Sequence, residues 1–377
     1  MHICFLTHEY PKKGYSQGGI GSVVQTIAKA LVKKGYKVSV VGVGSYKDEV
    51  ENDDGVSIYR LEASNWKVAN FIPNTKRLLR KLEEIHQQTP IDIVEGSELN
   101  FAFFPKNYFA KKVIRLHGGH RFFAESMGKK PALWRSLQES LSFAKADALV
   151  AVSHYVGSKS KELVKFKQDF QVIYNLVDTD KFFEADREKI VDKKLVFIGT
   201  VTEKKGVRQL VQAMPKIIKK FPNASLDIIG RDWFDPKTGE SYIKYLKTFI
   251  TDDIKEHIHI KGVVPHDEIP NVIESAEVCV YPSHMEAMPI AWLEALGMGK
   301  AVVASQLGPG SEAVIDKRTG LLCNPMDPKD IAQKIIYMFE NPQEAQQMGK
   351  NAREDILDRF NPENIINQNI LFYNSVI

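Results

Sequence analysis

Two doubly wound, Rossmann-like α/β domains facing a cleft are the fold this sequence predicts. Short apolar runs that read as strands alternate with amphipathic helical stretches along both halves. At 377 residues the chain exceeds one ordinary core and suits two. A charged stretch without a strong apolar period, about 179–193, separates the halves. The expected division is 1–180, 181–360 and a last helical stretch over 361–377.

Net charge is only +4, but it is uneven. Residues 1–180 hold 26 Lys+Arg against 19 Asp+Glu, and the remainder holds 25 against 28. A basic first half suits an anionic acceptor or a membrane surface, with solvated helix faces as the alternative. No nucleic-acid partner is expected. Cys4, Cys279 and Cys323 lie in apolar runs without metal-ligand spacing, which reads as buried thiols in a reducing compartment. The amino terminus has no basic segment followed by a long apolar one, and no apolar run approaches the ~20 residues of a membrane span. The expectation is a cytoplasmic protein.

In the first half, Ile3 to Thr7 reads as a strand. Gly18-Gly19-Ile20-Gly21 then opens a helix carrying Val23, Val24, Ile27, Ala28, Leu31 and Val32, which Gly35 stops. Val38 to Val43 completes a βαβ unit. The glycine turn lacks the G-x-G-x-x-G spacing of a dinucleotide site. Residues 70–88 form a basic helix with Lys76, Arg77, Arg80 and Lys81; it rests on anionic lipid or is a simple surface helix. Buried strands follow at Ile91–Val94 and Val113–Leu116. The second ends in His117-Gly118-Gly119-His120-Arg121. A His at the carboxyl end of a parallel strand stands where open α/β sheets place ligands, and its ordinary pKa allows proton exchange near neutrality. A loop His bonded to a carbonyl is the alternative. His120 and Arg121 are further candidates. After the strand Ala148–Val152, Asn175 and Asp178 read as turn-capping residues.

In the second half, Leu195–Ile198 leads to Gly199-Thr200-Val201-Thr202-Glu203-Lys204-Lys205-Gly206 and then a helix. A cation at such a strand–loop–helix junction can neutralise a diphosphate. Strands at Ser225–Ile229 and Ile258–Gly262 flank a segment at Tyr242–Ile250, and His266 and Asp267 start a helix over Ile269–Ala276. The central stretch is Tyr281 to Ser305. The strand Val278–Tyr281 breaks at Pro282, a helix starts near Pro289 with Ile290, Trp292, Leu293 and Leu296, Gly297 and Gly299 end it, and Ala301–Ala304 is again a strand. Glu286 lies in the loop and Glu294 inside the helix. A helix N-terminus suits a phosphate, and a carboxylate within the helix suits a vicinal diol such as a ribose. Two ordinary surface glutamates are the alternative. Asp53-Asp54 and Asp252-Asp253 read as surface pairs, with no Asp-x-Asp at a strand end, so no metal or other cofactor is expected.

Together these segments resemble the retaining GT-B glycosyltransferases, family 4 in particular. The resemblance rests on the two glutamates eight apart, on Gly299-Lys300-Ala301-Val302-Val303-Ala304, on Lys205 before Gly206, and on Gly18-Gly19 opening the first helix. The chain departs from the family at Thr200, where an Arg is expected, at Met288-Pro289 in place of Phe-Gly, and at Leu176 in place of Gly. The resemblance implies transfer of a sugar from a nucleotide-diphosphate donor, UDP- ahead of GDP-, to a hydroxyl of a glycan or lipid-linked acceptor; the basic first half suits an acceptor in cell-surface polysaccharide synthesis. It implies retained configuration by a front-face route. Lys205 and the helix N-terminus would stabilise the leaving diphosphate, with Lys204 or Arg231 supplying the charge missing at Thr200. Gly199, Thr200, Val264, Ala287, Met288, Pro289 and Ile290 would line the donor site. Glu294 would hold the ribose, Glu286 the donor sugar, and His117 the sugar or acceptor. Gly18, Gly19, His120 and Arg121 would lie on the acceptor side, and the last helix would return to the first domain. A sugar-nucleotide epimerase, or a catalytically silent nucleotide-sugar-binding partner, are the alternative readings; a dinucleotide-dependent oxidoreductase lacks its fingerprint.

Overall fold

The structure, a computed structural model, describes residues 1–12, 19–45, 47–64 and 71–377. By its internal contacts the chain divides into two units, one of Met1–Leu176 with Pro362–Ile377 and one of Val177–Asn361.

In the first unit the elements run β1 (His2–Leu6), α1 (Gly19–Lys33), β2 (Lys37–Ser45), β3 (Glu49–Asp53), β4 (Val56–Glu62), α2 (Phe71–Gln88), β5 (Ile93–Gly96), β6 (Lys111–Leu116), α3 (His120–Ser126), α4 (Leu133–Phe143), β7 (Ala148–Ala151), α5 (His154–Val164) and β8 (Gln171–Val172). The sheet order is β3-β4-β2-β1-β5-β6-β7-β8. Every pairing is parallel except β3 with β4, a hairpin turned at Asp54 and Gly55, both at positive φ. Strand β1 is buried throughout, as a parallel strand covered on both faces must be.

The second unit runs β9 (Lys194–Ile198), α6 (Val207–Lys220), β10 (Ser225–Ile229), α7 (Tyr242–Lys247), β11 (Ile258–Gly262), α8 (Ile269–Ser275), β12 (Val278–Tyr281), α9 (Ile290–Gly297), β13 (Ala301–Ser305), α10 (Gly310–Ala313), β14 (Leu321–Cys323), α11 (Pro328–Glu340) and α12 (Pro342–Arg359). Its all-parallel sheet has the order β11-β10-β9-β12-β13-β14. Helices α6 and α11 bury Leu210, Val211, Met214, Ile331 and Ile335 against Leu226, Ile228 and Val303.

The last helix, α13 (Pro362–Val376), belongs to the first unit and is held there by a buried polar knot. Arg115 on β6 donates to Glu95 at 2.7 and 3.1 Å and to Asn369 at 2.6 Å, and Tyr373 donates to Glu95 at 2.7 Å. Both ions of this pair are buried, so the amide and the phenol complete the hydrogen bonding that a desolvated pair needs.

Candidate functional site

The strand order of the second unit fixes where a ligand can sit. The chain steps outward from β9 through β10 to β11, then crosses to β12 on the other side of β9. The crevice outside the carboxyl ends of β9 and β12 is therefore the switch point of the sheet. Two loops meet there, 199–206 after β9 and 282–289 after β12.

Glycine lets them meet. Gly206 has φ +69°, and a Cβ on it would lie 1.8 Å from the carbonyl oxygen of Pro282. A Cβ on Gly230, at φ +147°, would lie 1.9 Å from the carbonyl oxygen of Gly199. Backbone bonds tie the loops: His284 N donates to Lys204 O at 2.8 Å, and Val201 N to Arg231 O at 2.9 Å. Beneath them Glu203 accepts from Arg208, Gln209 and Tyr242. Burial alone would raise its pKa, but these donors outweigh it and leave it at about 2.

Lys205 reaches across the crevice to Glu286, with Nζ 2.5 Å from Oε1. Lys204 has its pKa lowered, first by burial and then by Lys205, with Arg231 adding to the effect and Glu286 opposing it. Arg231 is near enough to act on Lys204, so cationic charge gathers at these loops although Thr200 brings none. Helix α9 starts at the same place. Its N-cap, Pro289, makes no side-chain capping bond, and first-turn N–H groups without a cap suit an anion. Met288 and Pro289 are buried, and Ala287, Ile290, Gly199, Thr200 and Val264 are half-buried.

Glu294, buried on α9, pairs with His266 at 3.1 Å between Oε1 and Nε2. The Nδ1 of His266 lies 2.8 Å from Lys181 Nζ, which also donates to Asp267 at 2.7 Å. One tautomer satisfies the chain: the ammonium donates to Nδ1, and Nε2–H donates to the carboxylate. The sequence reading gave His266 and Asp267 only a helix start. The backbone does turn there, as a 3-10 turn over His266–Glu268 before α8. The side chains instead fix Glu294, and no local pattern signals that.

In the first unit the chain crosses β1 between β2 and β5, so the equivalent crevice lies outside the ends of β1, β5 and β6. Gly18 lies outside the described residues. Gly19 begins α1 and is exposed; the close approach belongs to Gly21, whose Cβ would meet the carbonyl of Glu9 at 1.8 Å. His117 N donates to Glu98 Oε1 at 2.7 Å. Burial, then Arg115, lower the pKa of His117 to about 3, below that of an ordinary imidazole. Glu98 beside it is buried, and burial raises its pKa to about 7. His120 and Arg121, expected on the acceptor side, both bond to the segment that follows. His120 Nε2 accepts from Ala132 N at 2.9 Å, and Arg121 donates to Ser136 O and Ser140 Oγ at 2.9 and 2.8 Å.

These features define a protein of two doubly wound units, the second with a cationic, helix-headed crevice fit for a nucleotide. Comparison with known proteins gives the family. The glycosyl transferases group 1 model matches residues 178–355 and the glycosyltransferase family 4 model residues 17–181; the chain belongs to this family and has the GT-B fold. It is similar to N-acetyl-alpha-D-glucosaminyl L-malate synthase of Bacillus anthracis, 22% identical over 96% of this chain and 95% of that one. Among solved structures it is similar to sucrose-phosphate synthase of Thermosynechococcus elongatus, with a TM-score of 0.87 at 20% identity over 100% and 98% of the two chains. It also resembles Anabaena HepE in complex with UDP, with a TM-score of 0.79 at 17% identity over the whole of both chains.

Proposed function

We propose that the protein is a retaining glycosyltransferase that moves a hexose from a nucleotide-diphosphate sugar to a hydroxyl of a glycan or lipid-linked acceptor. The observation that carries this reading is the Lys205–Glu286 pair at the head of α9, with Arg231 and Lys204 beside it. Lys205 exchanges Glu286 for the donor diphosphate and stabilises its charge as it leaves. Glu286, released, accepts hydrogen bonds from hydroxyls of the donor sugar. Glu294, already oriented by His266, accepts from the ribose diol. Val264 and its neighbours meet the base.

The acceptor oxygen attacks C1 on the face the diphosphate leaves. The C1–O bond to phosphate breaks, the C1–O bond to the acceptor forms, and the acceptor proton passes to a phosphate oxygen. His117, neutral across the physiological range, serves as a hydrogen-bonding contact for sugar or acceptor and not as an imidazolium acid. A catalytically silent protein is disfavoured because Arg231 and Lys204 bring charge to the site that Thr200 leaves neutral. UDP is placed ahead of other nucleotides on the UDP and UDP-glucose complexes of HepE.

Among the described residues no group of three or more His, Cys, Asp or Glu is placed to hold a metal ion. We assign turnover to the lysines and arginine without a required metal; loss of activity on chelation, with recovery on Mn²⁺ or Mg²⁺, would overturn that. Among the described residues no helix is long and apolar enough to cross a membrane. The reading places the reaction in surface polysaccharide synthesis. The test is a thermal-shift series with UDP, GDP, ADP, CMP and NAD. A ligand at ~100 times its Kd adds about 2.7 kcal/mol. A shift with one nucleoside diphosphate supports the reading and names the base, and a shift with NAD alone refutes it.

A further inference from the structure

Helix α4 is seated with its polar side inward. Leu133, Leu137 and Leu141 recur every four residues, with Trp134 beside them, and form one apolar stripe. An amphipathic helix ordinarily buries that stripe. Here Leu133 is 89% exposed, Trp134 49%, Leu137 50% and Leu141 37%. The opposite face buries two polar groups beside Phe143: Glu139 pairs with Arg121, and Ser142 Oγ accepts the N–H of Phe101 at 3.0 Å. The apolar surface continues beyond the helix. Trp134 lies against Phe71, with ring centroids 5.4 Å apart, Phe71 stacks on Phe103, and Ile72 and Met127 are exposed.

The rim of this surface is cationic. Lys129, Lys130 and Arg135 are exposed, and no acidic residue stands between Ser126 and Gln138. The basic helix α2 adds Lys76 and Arg80, both exposed. Its other two cations are already paired, Arg77 with Asp48 at 3.0 Å and Lys81 with Glu84. The sequence allows a lipid contact or a simple surface helix for α2; α2 turns Leu82 and Ile85 inward, and the exposed apolar stripe is on α4.

We propose that α4, with the Met127–Lys130 turn before it, docks the protein onto an anionic lipid surface. Leu133, Leu137 and Trp134 enter the boundary between headgroups and acyl chains, while Lys129 and Lys130 meet anionic headgroups. A second copy of the chain fits this face poorly. A two-fold contact on the same patch would set its unneutralised cations against their own mates. The inference does not rest on the donor site.

The test is sedimentation of the full chain, without nucleotide, with vesicles of phosphatidylcholine alone or mixed equally with phosphatidylglycerol. Binding to the mixed vesicles is expected, weakened by salt. The combined Leu133→Ser and Leu137→Ser variant should lose at least about tenfold in partitioning while keeping its Tm, since these side chains are already exposed. Lys129→Glu with Lys130→Glu should remove the preference for the anionic lipid. No binding to either vesicle overturns the proposal, and so does a serine variant that binds like the parent. A concentration-dependent dimer that the serine variant abolishes would reassign the stripe to self-association.

Discussion

Replacing Glu98 with Gln should flatten the pH dependence of the first unit's stability. Glu98 is buried behind the end of β5 and accepts the N–H of His117. Burial, reinforced by Glu139, lifts its pKa from 4.5 to about 7, against the backbone donors that lower it. A carboxyl raised in this way holds a proton in the folded state that the unfolded chain has already released. Stability therefore falls as pH rises through the window from 4.5 to about 7, and the penalty is complete above it. Between roughly pH 5 and pH 8 these two values give a loss of about 2.5 kcal/mol. The amide introduced by Glu98→Gln can still accept from His117 through its carbonyl oxygen but does not titrate. Denaturant-dependent hydrogen exchange of β5 and β6 reports the first unit, and the difference between parent and variant cancels the other titrating groups. The variant should gain about 2.5 kcal/mol on the parent over that range. Equal pH dependence in both proteins would show that Glu98 ionises as an ordinary carboxyl, and the reasoning from its burial would fail.

Three further outcomes follow from the geometry. Gly206→Ala puts a Cβ into a left-handed backbone and onto the Pro282 carbonyl; it should cost at least ~1–2 kcal/mol from the backbone alone and weaken nucleotide binding, and an unchanged Tm with unchanged affinity would contradict this. His266→Ala removes the group that orients Glu294. It should weaken UMP and UDP by the same factor, about tenfold for ~1.4 kcal/mol, whereas a loss confined to UDP would place His266 with the diphosphate. Tyr373→Phe removes the phenol donor to Glu95 and should destabilise the first unit by ~1–3 kcal/mol; no change in the exchange of β6 would show that the knot does not hold α13.

Much of the fold is legible in the sequence because buried parallel strands are short, nearly continuous apolar runs. Val278–Tyr281 is read and observed with the same bounds, and Leu195–Ile198 differs from β9 by one residue. Strand β3 escapes because three of its five residues are acidic, as befits an edge strand. The site is legible in its parts but not in its pairing. Lys205 and Glu286 stand out as junction residues, yet their contact across 81 positions comes from the crossover that puts β12 beside β9, which no periodicity encodes. His266 and Glu98 were missed for a related reason. Their roles depend on what a loop reaches and what a helix covers, and α4, which covers Glu98 with Glu139, defies its own amphipathic pattern.

The central claim is that the cations at the head of α9 bind a diphosphate. Calorimetric titration of UDP against UMP, in the parent and in Lys205→Ala, tests it most directly. The account expects UDP to bind the parent more tightly than UMP, with Lys205→Ala losing about 10- to 100-fold for UDP, the ~1.5–3 kcal/mol of a charge-assisted hydrogen bond, and little for UMP. Equal affinity for UDP and UMP in the parent, or an equal loss for both in the variant, would contradict it.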